Sequence, residues 1–162
     1  MKFLEYTPFD SINLFLEQLN LGDCTMRVNL EAFSCKHTAT DRRLSISLEH
    51  EAHLFFQEEE LESFKQMVDT YLPDASRQWA ATNEGSSLLD SMTKAIDEVI
   101  KIRECDIYSY NPDSDADPVL EKGSIWSFNY FFYNRKLKRV VSFCCYCTSK
   151  LSGDDFLTGA GW

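Results

Sequence analysis

The chain has 162 residues, with 26 Asp and Glu against 16 Lys and Arg, a formal net charge of −10. That length gives one domain with room for a hydrophobic core. The acidic balance disfavours a general nucleic-acid binder, which needs a basic face, and favours a protein that meets a basic partner surface.

In chain order, Thr7-Pro8-Phe9-Asp10 reads as a helix start, with Thr7 as N-cap, Pro8 at the first helical position and Asp10 in the first turn. Phe9, Ile12, Phe15, Leu16 and Leu19 keep helical spacing, and Gly22 supplies the stop. Met26, Val28, Leu30 and Ala32 alternate with Arg27, Asn29, Glu31 and Phe33, as a half-buried strand does. Residues 36–51 carry no strong period. His50 and His53 stand three apart, not four as on a zinc-protease helix, so they and His37 read as surface histidines.

Leu61, Phe64, Val68 and Tyr71 mark an amphipathic helix that must end by Pro73. A short helical piece around Ala75 to Ala81 turns Trp79 inward, and Asn83-Glu84-Gly85 breaks it. Leu89, Met92, Ile96 and Val99 then form a helical stripe to about Ile102, capped by Ser86 or Ser87. Strands at about 105–110, 125–133 and 138–147 follow. In the first, Asp106, Tyr108 and Tyr110 alternate with Cys105, Ile107 and Ser109. In the second, Trp126, Phe128, Tyr130 and Phe132 share one face; Ser127, Asn129, Phe131 and Tyr133 share the other. Asn134 to Leu137 make the turn. The expected class is α+β: a single domain over residues 1–150, a mainly antiparallel sheet packed with amphipathic helices, followed by a flexible tail at 151–162.

Lys2 and Glu5 leave no signal-peptide core, and no apolar run reaches membrane-spanning length, so the chain reads as intracellular with no membrane partner. The six cysteines then read as free thiols. Cys145 and Cys147 share a strand face as half of a zinc site would. With no second pair nearby, buried strand residues are the preferred reading. No Gly-rich phosphate loop, nucleophile–base pair or metal triad stands out, so neither an enzyme, a cofactor nor a metal is expected.

Two charged clusters are candidates for partner binding. Asp113, Asp115 and Asp117 begin like a calcium loop, but Pro118 and Ser124 stand where Gly and Glu are needed. They read as a turn-forming acidic loop, either solvated or in contact with a partner. Arg135, Lys136, Lys138 and Arg139 form the dense basic cluster, open to three readings: a hairpin turn, a partner contact, or a nuclear-import signal. The aromatics of 126–133 could stack bases, but base-stacking sheets are ringed by positive charge, so core packing is preferred for at least one face.

DIYSYNPDSDADP and WSFNYFFYNRKLKRVV, with MKFLEYTPFDSIN, LEAFSCKHT and ELESFKQMVDTYL, together resemble the Maf-type repressors of RNA polymerase III transcription, nearest to plant versions. The resemblance implies a negative regulator that binds polymerase subunits near the clamp and blocks recruitment to initiation factors built on TATA-binding protein. It also implies residence in nucleus and cytoplasm, and control by nutrient- and stress-linked kinases and phosphatases. Members carry a mobile Ser/Arg-rich linker and a further hydrophobic strand where Glu51 here runs straight into Ala52, so the chain is expected to be internally shortened. With that linker gone, Ser45, after Arg42-Arg43-Leu44, is the leading residual phosphorylation site. The alternative function is a direct RNA- or DNA-binding module built on the hairpin 126–139; direct nucleic-acid binding is not favoured.

Overall fold

A computed structural model describes residues 2–19, 22, 24–35, 56–110 and 124–149. Its elements are β1 (Lys2–Leu4), α1 (Thr7–Glu17), β2 (Cys24–Ser34), β3 (Phe56–Glu59), α2 (Leu61–Tyr71), α3 (Pro73–Thr82), α4 (Leu88–Ile100), a 3-10 turn (Ile102–Glu104), β4 (Asp106–Tyr110), β5 (Ser124–Asn134) and β6 (Arg139–Ser149). The six strands form one sheet in the order β1-β2-β6-β5-β4-β3, and every pair is antiparallel. The chain is α+β, as the sequence implied.

The four helices among the described residues bury their apolar stripes against the same face of the sheet. Phe9, Ile12 and Leu16 of α1, Phe64 and Val68 of α2, and Met92, Ile96 and Ile100 of α4 join Val28, Leu30, Phe132, Val141 and Phe143 in one core. Phe64 is its hub: its ring meets Tyr130, Phe132 and Phe143 edge-on, with centroids 5.3, 5.2 and 5.8 Å away. Edge-to-face contacts of this kind add to the burial of apolar area.

The helix limits shift in instructive ways. Tyr6, not Thr7, is the N-cap of α1, and no side chain caps it. The helix ends at Glu17, five residues before Gly22. In α4, Ser87 is the cap, its Oγ accepting from Asp90 N–H at 3.2 Å. Leu88 is buried there while Leu89 is only half-buried. Lys101 takes a left-handed φ of 53°, which stops α4 and sets Ile102 in a separate turn.

β1 and β3, the two edge strands, have no counterpart in the sequence reading. They are three and four residues long, too short for period-2 patterning to register. β1 covers only Ala32–Ser34 of β2. Further along, Asn13 of α1 stands in for a strand: its Nδ2 donates to Leu30 O at 3.0 Å, and its Oδ1 accepts from Leu30 N–H at 2.9 Å. A helix side chain thus satisfies the edge backbone that the short strand leaves open.

Candidate protein-docking surface

The β5–β6 turn, Arg135 to Lys138, is fastened to the C-terminus of α4. Asn134 is fully buried; its Nδ2 donates to Ile100 O at 2.7 Å, and its Oδ1 accepts from Leu137 N–H at 3.0 Å. Arg139 donates from Nη1 to Val99 O at 2.8 Å. A guanidinium and an amide therefore meet the carbonyls that a helix end leaves unpaired, and the cation also complements the helix dipole. From the other side, Cys35 N–H donates to Lys138 O at 2.7 Å.

This fastening sorts the basic cluster. Arg139 is turned inward as a structural residue. Arg135 pairs with Asp106, Nε to Oδ2 at 3.1 Å, and lies over the Tyr133 ring at 5.9 Å. Lys136 and Lys138 are exposed, and among the described residues neither side chain has a partner. Among the described residues, the tip therefore offers two unpaired cations, not four. Asp113, Asp115, Asp117 and Ser45 lie outside the described residues, as do the three histidines and the junction at Glu51-Ala52. The ends of the β4–β5 connection, Tyr110 and Ser124, are set back along β5 from the basic tip, with Ser124 at its far end.

The aromatic strand divides as alternation requires. Phe128, Tyr130 and Phe132 lie in the helix-covered core, with Trp126 packed against it at the sheet's end. Trp126 is only half-buried, stacked on Phe128 at 5.7 Å and tilted against Tyr71 at 5.3 Å. On the opposite face Tyr133 clusters with Tyr108, Val140 and Cys35, with Phe131 alongside. No base can stack on Phe128, Tyr130 or Phe132, because the helices already occupy that face. This removes the structural ground for the nucleic-acid reading on the Tyr130 side.

Residues 49–144 match the family described as Maf1 regulator. The chain belongs to the Maf1 family. Its fold superposes on the crystal structure of citrus MAF1 with a TM-score of 0.78 and 52% identity, covering 90% of this chain and 98% of the citrus one. The protein named repressor of RNA polymerase III transcription maf1, from Schizosaccharomyces pombe, is 26% identical over 87% of this chain and 80% of its own length. That alignment runs over 192 residues, so the yeast protein carries stretches with no counterpart here. The Dictyostelium discoideum protein named repressor of RNA polymerase III transcription is 45% identical over 56 residues, about a fifth of its length.

In this Maf1-family chain a polar relay crosses from helix to sheet where no sequence motif signalled one. Glu59, just before α2, accepts from Ser63 Oγ at 2.7 Å and from Ser109 Oγ at 2.9 Å. Ser63 Oγ also lies 3.3 Å from the buried Tyr130 hydroxyl. Burial, and then the Glu59 charge, raise the Tyr130 pKa against the lowering effect of Ser63, so the phenol stays protonated and the relay remains uncharged at that end. Cys145 and Cys147 do share the helix-covered face, each 1% exposed, and among the described residues no group of His, Cys, Asp or Glu could hold a metal. Among the described residues, too, no helix is long and apolar enough to cross a membrane.

Proposed function

We propose that this chain represses transcription by RNA polymerase III, acting through contact between protein surfaces and not through catalysis. The Maf1 family match, joined to a shared fold at 52% identity over nearly all of the citrus chain, carries the reading. The relatives from fission yeast and Dictyostelium are both named as repressors of this polymerase. A net charge of −10 suits docking on a basic surface, where complementary charge speeds encounter and rejects wrong partners.

In finer terms, the chain docks on polymerase subunits near the clamp and competes with recruitment to initiation factors built on TATA-binding protein. Asp113, Asp115 and Asp117 supply negative charge to that contact, and Lys136 and Lys138 supply the exposed positive charge. The chain works in the nucleus and also resides in the cytoplasm, under kinases and phosphatases that act on Ser45. The test joins capture of purified RNA polymerase III with transcription of a transfer-RNA gene in a purified system. Capture together with lost transcription supports the reading. Tight binding to transfer RNA or to the gene fragment at moderate salt, with no capture of polymerase, overturns it. Phosphopeptide mapping after treatment with a basophilic kinase checks Ser45 separately; stoichiometric modification elsewhere removes that assignment.

A further inference from the structure

Cys24 opens β2, and Cys147 lies near the end of β6. Cys147 pairs with Met26, and Cys24 pairs with Ser149. Alternation puts Cys24 on the same face as Met26, which makes it the diagonal neighbour of Cys147. Both thiols line a cavity of about 140 Å³ together with Met26, Tyr71, Asp74 and Trp126. Cys147 is 1% exposed, whereas Cys24 is half-buried and is the sulfur that a solute meets first. Burial first, and the neighbouring Cys24 sulfur with it, push the Cys147 pKa up to about 12. Such a thiol reacts slowly with a free oxidant, and it shares its cavity with the Cys24 sulfur.

We propose that Cys24 and Cys147 are a redox-modification site that closes to a reversible β2–β6 disulfide when a hydroperoxide enters the cavity. The Cys24 sulfur attacks the peroxide, the O–O bond breaks, and Cys24 becomes a sulfenic acid as one water (or alcohol) leaves. The Cys147 sulfur then attacks the Cys24 sulfur, the S–O bond breaks, and a second water leaves with the Cys147 proton. Two thiols lose two electrons and the peroxide gains them. Diagonal Cβ atoms stand further apart than a disulfide spans, so one end must move. Cys24 is the first residue of its strand, and its movement frays one strand end without opening the sheet interior. The bond would close a long loop, from the start of β2 to the end of β6, and so raise the melting temperature.

The experiment treats the reduced, full chain with hydrogen peroxide, counts thiols in denaturant and maps peptides without reduction. The expected result is loss of two of the six thiols, one Cys24–Cys147 peptide, a melting midpoint higher by several degrees, and full reversal by dithiothreitol. Cys35→Ser should still form the link. Cys24→Ser, a change at a half-buried position, should fold normally and lose it. A Cys145–Cys147 link, over-oxidised Cys24 beside a free Cys147 thiol, or six surviving thiols would each overturn the proposal.

Discussion

The helix-covered face of β5 and its tip use similar residues to opposite ends. On the face, Phe128, Tyr130 and Phe132 are enclosed by α2 and by β6, so their aromatic rings serve only the core. At the tip, Asn134 and Arg139 each donate to a carbonyl at the end of α4, while Lys136 and Lys138 are exposed. The difference shows that a dense motif is not a uniform site. Within WSFNYFFYNRKLKRVV, residues of both faces belong to packing, Asn134 and Arg139 bind the end of a helix, Arg135 pairs with Asp106, and Lys136 and Lys138 stay exposed.

The sharpest way to break this division is at the hub. Phe64→Ala should cost about 3–5 kcal/mol, because a fully buried ring leaves a cavity between Tyr130, Phe132 and Phe143. Trp126→Ala, at the half-buried end of the same face, should cost less, about 2 kcal/mol. Equal losses in urea melts would mean that the core extends through Trp126. Next comes Asn134→Ala, expected at about 1–3 kcal/mol, since Ile100 O and Leu137 N–H both lose a partner beside a buried site. Hydrogen exchange should show the loss at the end of α4. A melting point unchanged within error would separate the tip from α4.

Ser87→Ala should remove about 1 kcal/mol through the lost cap on Asp90 N–H, with Ser87→Asp restoring most of it. Ser86→Ala should be silent by comparison; if the two behave alike, the cap is shared. The smallest effect belongs to the exposed lysines: Lys136→Glu with Lys138→Glu should change stability by about 0.5 kcal/mol or less. The same pair should weaken polymerase capture, more strongly at low salt. Unchanged capture across a salt series would take the tip out of the contact.

Strands β2, β4, β5 and β6 and all four helices were legible in the sequence because each repeats its pattern several times: Met26, Val28, Leu30 and Ala32 are all buried as alternation demands. The acidic and basic clusters were visible as composition, but composition could not divide Arg139 from Lys138. That division needs the distance from a guanidinium to a helix carbonyl forty residues earlier in the chain. The same holds for Cys24 and Cys147, which no spacing links and which only the β2–β6 register brings together.

Local periodicity and the long aromatic motif were enough to determine the class of fold, the course of the main elements and the family, because each is written within about a dozen neighbouring residues. Tertiary structure alone decided which strands lie at the edges, that Asn13 completes one edge, that the helices share a single face, and which charges remain open. These outcomes rest on contacts between distant segments, where one hydrogen bond or one step of register reassigns a side chain from solvent to core.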